Sequence, residues 1–537
     1  MLHIGSLVAV ALAIVAQAAP AAAQAQAAHE GKPGGVLRLV LREDLPQGFA
    51  IHETATNSVT WPAMPCYNNL VIFDQLKPIG RTETIVPELA ERWSWQDNYR
   101  NLVFFLRKDA RWHDGQPFTS KDVKFTFDLV REAKDAPAKL RLNPRKEWYA
   151  NVEAVEAPDP HTVVFRLKRP QPSLLSMLAS GYSPVIPAHV PLAEHRGRCL
   201  GTGPFKFKEW KRGQSVELVK NSDYFVKGRP YLDGVRYVIV VERGTRVAAL
   251  QTGQVDVAYP GDTTVAIAEQ LRGSVPRMAF TETATNVSEN LLLNTKRPPF
   301  DNPKVRRAVS LAIDRPAYVK AVHAGSALVG AAMAPKPWGA WGLLPKDTVQ
   351  LPGYGKGAEE KARARKLLAE AGFGPATPLK IEVSTRAIAI YLDFASFVIS
   401  ELKSVGIEAP LKQVDTAQWH PLATRREFHM AANLTGLGVD DPDANFYENY
   451  ACGSSRNYGD YCDEQVTRLI DQQSQETDSQ KRLALVWQIQ KKLEEDAARP
   501  VMGWRVDRFA HYPYVKNLIP NQVTYNCCRL QEVWLDK

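Results

Sequence analysis

The run PELAERWSWQDNYRNLVFFLRKDARWHDGQPFTSKDVKFTFDLV, Pro87–Val130, constrains the fold more than any other stretch. Leu102–Arg107 is an apolar strand. His113-Asp114-Gly115-Gln116-Pro117 is a turn. Thr119 is placed to N-cap a following helix, with Asp122 at N3 closing a capping box. A strand, a turn and a helix in one short run predict an α/β unit, and the run carries no catalytic signature.

At 537 residues the chain has room for two to four domains, each with its own core. Its 45% hydrophobic and 23% charged residues exclude a disordered or fibrous chain. The formal charge is +9 without a basic run, which argues against nucleic acid as a partner. That charge suits acidic ligands or an anionic membrane face, although a uniformly solvated surface is the commoner cause.

Residues 1–28 read as a signal peptide. Leu7–Val15 is an apolar core, followed by A-x-A sites at Ala21–Ala23 and Ala25–Ala27. The segment before that core lacks Lys and Arg, a departure from the usual pattern. No cysteine precedes Cys66, so no lipid anchor is expected. No later stretch reaches the roughly 18 apolar residues of a spanning helix. The expected product is an exported, soluble, periplasmic protein.

Strand and helix signals alternate along the mature chain. Gly34–Leu41, Val163–Leu167 and Val235–Val241 read as strands. Gly201–Tyr224 reads as a hairpin after a tight glycine crossing. Arg246–Leu250 reads as a short helix feeding a strand at Val255–Ala258. Pro303 fits N1 of a helix capped by Asn302, with Val305, Ala308, Val309 and Ala312 on one stripe. Lys361–Ala371 is a helix stopped by Gly372, followed by a strand at Leu379–Ser384 and a helix at Ile390–Ser404. Two further helices are expected near Glu464–Gln473 and Gln480–Asp496.

Motifs for chemistry are missing. There is no G-x-S-x-G, no H-E-x-x-H, no clustered Cys/His set and no C-x-x-C. The Gly201-Thr202-Gly203 run precedes a proline and a strand, so it is not a phosphate loop. No nucleotide-binding G-x-x-x-x-G-K-[ST] occurs either. His113-Asp114 is better explained as turn geometry than as an acid–base pair. The expectation is a protein that is not an enzyme, with no catalytic residue, no cofactor and no protein-built metal site.

Several ordered motifs carry a resemblance. P-x-L-A-x-x-W, F-x-L-R, W-H-D-G-x-P-F-T and D-V-x-F-x-F lie in the opening run. GTGPFKFKEWKRGQSVELVKNSDYF, RVAALQTGQVDVA and PFDNPKVRRAVSLAIDR follow. Together they resemble the peptide/nickel-type, family 5 solute-binding proteins of ABC importers. The resemblance implies an α/β, periplasmic binding protein-like fold (class II, cluster C). Lobe I would comprise residues 29–75, 203–290 and 505–537. Lobe II would comprise 76–202 and lobe III 291–504. Lobes I and III would close on ligand by a hinge. The implied function is a monomeric periplasmic receptor that delivers peptides or a related small polar solute to a membrane permease. The alternatives are a receptor for a non-peptide solute (an opine, an oligosaccharide or chelated nickel) and an exported hydrolase on the same scaffold.

The resemblance also implies a site. Relatives read G-W-x-x-D where this chain has Gly436-Leu437-Gly438-Val439-Asp440, and Asp440 matches the aspartate that pairs with a peptide α-ammonium. Leu437 stands in place of the tryptophan. Turn and N-cap roles in the Asp440-Asp441-Pro442-Asp443 loop are the competing reading. Trp419 matches an aromatic that stacks on ligand, and Arg426 an arginine for a ligand carboxylate; core packing and a solvated helix face compete. Tyr67 and Asn69 follow the first crossing, where relatives often carry an acidic contact, and Asn69 would offer neutral hydrogen bonds. Several family members have a cysteine pair matching Cys452 and Cys462, which would bridge a short loop. Cys66–Cys199 is a second pairing, while Cys527 and Cys528 are left open.

Overall fold

The capping box forms. In the computed structural model, which describes residues 31–355, 357–526 and 528–537, Thr119 caps the helix Ser120–Val130 and its backbone N–H donates to Asp122 at 2.9 Å. The buried face of that helix, Val123, Phe127 and Val130, meets a four-stranded antiparallel sheet. The strand order there is Ala90–Gln96, Asn101–Leu106, Thr162–Leu167, Val152–Asp159. Phe127 packs edge-on to Phe165 at 5.0 Å, a favoured aromatic geometry.

A second four-stranded sheet joins distant segments. Val36–Leu41 pairs in parallel with Gly234–Ile239, which pairs with the hairpin Phe205–Lys211 and Ser215–Lys220. Alternation buries Leu37, Leu41, Phe205, Val216, Val235 and Tyr237 in one core. The chain reaches this hairpin through a crowded crossing. A Cβ on Gly201 would fall 2.0 Å from the Cys66 carbonyl oxygen, so only glycine passes. The Cys66–Cys199 bridge sits at the same place.

The third sheet has five strands, in the order Leu411–Val414, Val383–Arg386, Met430–Gly436, Ala279–Leu293, Val501–His511. The last two are long. Leu291, Leu293 and Met502 lie in the core of this sheet, whereas Phe280 packs against the first core and Ala510 lies in it. The first half of Ala279–Leu293 pairs only with Val501–His511, so the two strands leave the sheet as a ribbon between cores. The lobe limits expected at 290/291 and 504/505 fall inside that ribbon.

Local expectations hold in most places. Asn302 accepts from Lys304 N–H to cap Pro303–Ala312. The helices Gly357–Glu370, Ala389–Ser404, Glu464–Gln475 and Ser479–Glu495 form. Two strands differ. Val255–Ala258 forms only one bridge, Val257 to His511, because it meets the strands Val36–Leu41 and Val501–His511 through isolated hydrogen bonds, Asp256 N–H to the Arg38 carbonyl and Ala258 N–H to the Ala510 carbonyl, and no ladder develops. Leu379–Ser384 splits into Leu379–Lys380 and Val383–Arg386, each pairing with a different partner. Cys452–Cys462 is bridged, and Cys528 is disulfide-bonded. Residues 1–28, expected to be a signal peptide, and Cys527 lie outside the described residues.

Candidate functional site

A narrow cleft opens between the first-strand sheet and the five-stranded sheet. The strand Val36–Leu41 ends by delivering Arg42 to it, and the turn before the helix Asn57–Ala63 delivers Ala55–Asn57. The ribbon contributes Val287, Arg505 and Asp507. The far wall is Arg386, Asn433, Leu434 and Gly436 from the five-stranded sheet, with Trp419 and His420 from the helix Thr416–Thr424. Arg456, Tyr458 and Tyr525 come from loops.

Charge dominates this cleft. Arg386 reaches across it and donates to both Glu43 carboxylate oxygens at 3.0 Å, and also to Tyr391 Oη at 2.9 Å and Thr416 Oγ1 at 2.6 Å. Burial alone would raise the Glu43 carboxyl, but Arg386 and Arg42 overcome it and hold it at about 2. Arg42 lies 5.1 Å from the Tyr259 ring centre and 5.9 Å from that of Tyr391. Arg505 is bonded to Asp507. His420 is held at about 3 by burial and then by Arg386 and Arg456, so it is neutral at working pH.

Two of the residues singled out in the sequence line this cleft. Trp419 packs between Leu292, Val414, Phe428 and Tyr458 and presents itself to the cavity. Gly436 must be glycine: a Cβ there would lie 2.4 Å from Tyr525 Oη. The other five do not line it. Tyr67 is fully buried, 3.0 Å from His195 Nδ1. Asn69 donates to the carbonyls of Leu178 and Ser180 at 3.0 and 2.6 Å. Leu437 joins an apolar cluster with Phe446 and Trp504. Arg426, at φ +57°, pairs with Asp460 at 3.4 Å.

Asp440 is the fifth residue that does not line the cleft. The chain turns away from the cleft after Gly436, so this carboxylate accepts from Ala340 N–H at 3.0 Å and Gln522 Nε2 at 3.5 Å. Asp441 is an N-cap, accepting from Asp443 N–H, and both acids surround Arg482. The residues missed in the sequence are Arg42, Arg386, Arg456, Arg505 and His420. No local pattern marks them, because each is an ordinary end-of-strand, helix or loop residue.

Burial pushes the Asp440 carboxyl up to about 6, above its ordinary 3.8. A raised carboxyl binds a proton in the folded state that the unfolded chain has released. Its penalty therefore grows as pH rises from about 4 to 6 and is complete above that. Asp440→Asn should then stabilise the protein by roughly 1–2 kcal/mol at alkaline pH, after allowing for an unmet amide N–H, and give no gain near pH 4. Urea melts at both pH values check this. An equal effect at both would remove the titration argument, and a tenfold loss of solute affinity would put the carboxylate on the ligand.

Among the described residues, no helix is long and apolar enough to cross a membrane, and no group of three or more His, Cys, Asp or Glu could hold a metal. A polar cleft between two α/β units joined by a two-stranded ribbon is the architecture of a solute receptor rather than of a nucleotide-driven machine. Residues 84–457 match the model of the bacterial extracellular solute-binding proteins, family 5. Di/tripeptide-binding protein 2 of Pseudomonas aeruginosa is 27% identical over 487 residues, 85% of this chain and 87% of that protein. The periplasmic binding protein DppA of Helicobacter pylori, in complex with the peptide STSA, superposes with a TM-score of 0.83 at 24% identity over 94% of this chain and 99% of that one. AgaA of A. tumefaciens R10, in complex with agropinic acid, gives 0.81 at 25% identity over 94% and 99%. The chain belongs to the family 5 bacterial extracellular solute-binding proteins. It is the solute-binding component of an ABC importer, in a family of binding proteins rather than enzymes.

Proposed function

We propose that this protein works as a monomer in the periplasm, closes on a peptide or a related small polar solute in the Arg42–Trp419 cleft, and presents the closed form to its permease. The observation that carries this reading is the cleft itself. It lies between two cores joined by the ribbon of Ala279–Leu293 and Val501–His511, and a Glu43–Arg386 bridge spans it. The ribbon would be the hinge and the bridge one of the contacts of the closed state. Trp419 and Gly436 would contact solute, the first as a flat apolar platform and the second by letting Tyr525 approach. Relatives solved with a peptide and with agropinic acid support a polar solute of modest size.

Solute should compact the protein and raise its stability by mass action, by about 2.7 kcal/mol at a hundredfold excess over Kd. Small-angle scattering and thermal shift with di- and tripeptides measure both. Scattering profiles that stay unchanged at saturating solute would remove the two-lobe clamp.

A further inference from the structure

We infer that the cleft selects an anionic solute bearing two or more carboxylates, and that Arg42 is the residue that reads this charge. The inference rests on the receptor reading above and names the chemistry of its solute.

Buried charge around the cleft is unevenly matched. Arg386 is matched by Glu43, and Arg505 by Asp507, with a second carboxylate, Glu289, at 3.6 Å. Arg42 has no carboxylate of its own: the nearest, Glu43, is 4.0 Å away and already held by Arg386. Arg456 must share Glu448 with Arg145, at 2.7 and 2.9 Å on the same oxygen. Arg499, just beneath the cleft wall, meets only neutral partners, Asn290, Asn449 and Thr435. The region therefore carries more guanidinium groups than carboxylates. Buried charge without a partner is unfavourable, so the excess asks for an anion.

Unmet donors point the same way. Arg42 Nε and Arg456 Nε are buried without a hydrogen-bond partner. Both residues line the cleft. Guanidinium forks match carboxylates bidentately, and the spread of these groups fits more than one anionic group on the solute. The converse holds for a cation. Among the residues lining the cleft Asp507 is the one acid, and it is bonded to Arg505. A solute ammonium would meet no free carboxylate there. Among the arginines lining the cleft Arg42 is the distinguishing residue, because its one carboxylate contact is as long as 4.0 Å and two aromatic rings hold it in place.

Two sources supply such a solute: acidic peptides, and amino acids carrying an N-carboxyalkyl group. Calorimetry at low salt with Glu-Glu, an N-carboxyalkyl glutamate, Ala-Ala and Lys-Lys separates them. The expected result is that at least one of the first two binds tenfold or more tighter than Ala-Ala, with Lys-Lys weakest. Arg42→Gln should collapse that gap, while Arg42→Lys, which keeps the charge, should retain part of it. Melting curves of both variants without solute control for folding. Ala-Ala or Lys-Lys binding as tightly as both acidic probes overturns the charge assignment and leaves the receptor reading standing. An acidic preference that survives Arg42→Gln in a folded variant overturns the role of Arg42. Native mass spectrometry of protein from its periplasm gives an independent check. A neutral or cationic solute recovered there overturns the inference alone, whereas failure of any solute to compact the protein overturns the receptor itself.

Discussion

Replacing Arg529 by methionine is expected to remove about 3–5 kcal/mol of stability, the usual result of breaking a buried ion pair from one side. Arg529 is fully buried near the C-terminus. It pairs with Glu88 at 2.8 Å and donates to the carbonyls of Met64 and Tyr67 and to Asn69 Oδ1. One side chain thus ties three segments together: its own, the stretch 64–69 and Glu88. Without it Glu88 keeps its bonds from Asn68 Nδ2 and Asn69 N–H but loses its cation. Burial already pushes the Glu88 carboxyl up despite Arg529, so the mutant would take up a proton rather than bury a bare charge. The double variant Arg529→Met/Glu88→Gln should recover part of the loss, because the uncompensated acid is gone. Calorimetry of the first cooperative transition is the measurement, since a chain of this size need not unfold in two states. A loss below about 1 kcal/mol in the single variant would mean that water or a neighbour replaces the arginine.

Removing the Cys66–Cys199 bridge should have an effect of similar size. The bridge closes a separation of 133 residues, and the chain-entropy account gives about 5 kcal/mol for such a loop. The Cys452–Cys462 bridge closes a separation of only 10 residues, for which the same account gives about 3 kcal/mol. Paired alanine variants of each bridge, melted side by side, should therefore rank in that order. Equal losses, or the reverse order, would place the stabilisation in native-state packing rather than in the unfolded chain. The Cys66–Cys199 site is a sensitive one for that comparison, because the backbones of Cys66, Gly201 and Gly203 are in close contact beside the bridge.

Much of the fold was legible because its signals are local. The Thr119–Asp122 box, the Asn302 cap with Pro303, the hairpin after Gly203 and the short Cys452–Cys462 loop each involve residues a few positions apart. Interactions at that range act in any context, so residue order alone announces them. The family motifs could be recognised because they record such local geometry, here the W-H-D-G-x-P-F-T turn and the glycine crossing. Where pairing depends on a distant strand, residue order is not enough: Val255–Ala258 is apolar enough for a strand, but it meets Val36–Leu41 and Val501–His511 only through isolated hydrogen bonds and builds no ladder.

The site belongs to tertiary structure almost entirely. Glu43 and Arg386 are separated by 343 positions and meet only because two sheets face each other across the cleft. The family resemblance pointed to Trp419 and Gly436, which line the cleft from a helix and a strand end. Asp440 does not line it, because the direction taken after Gly436 is set by Tyr525 and Trp148 packing against backbone that lacks side chains. Composition gave the chain a net positive charge, but burial and pairing decide where that charge matters. The sequence alone determined an α/β solute-binding protein of family 5. Only the folded chain placed Arg42 at the end of its first strand in the cleft with no carboxylate of its own, because whether a charge is compensated depends on distance in space and not on position along the chain.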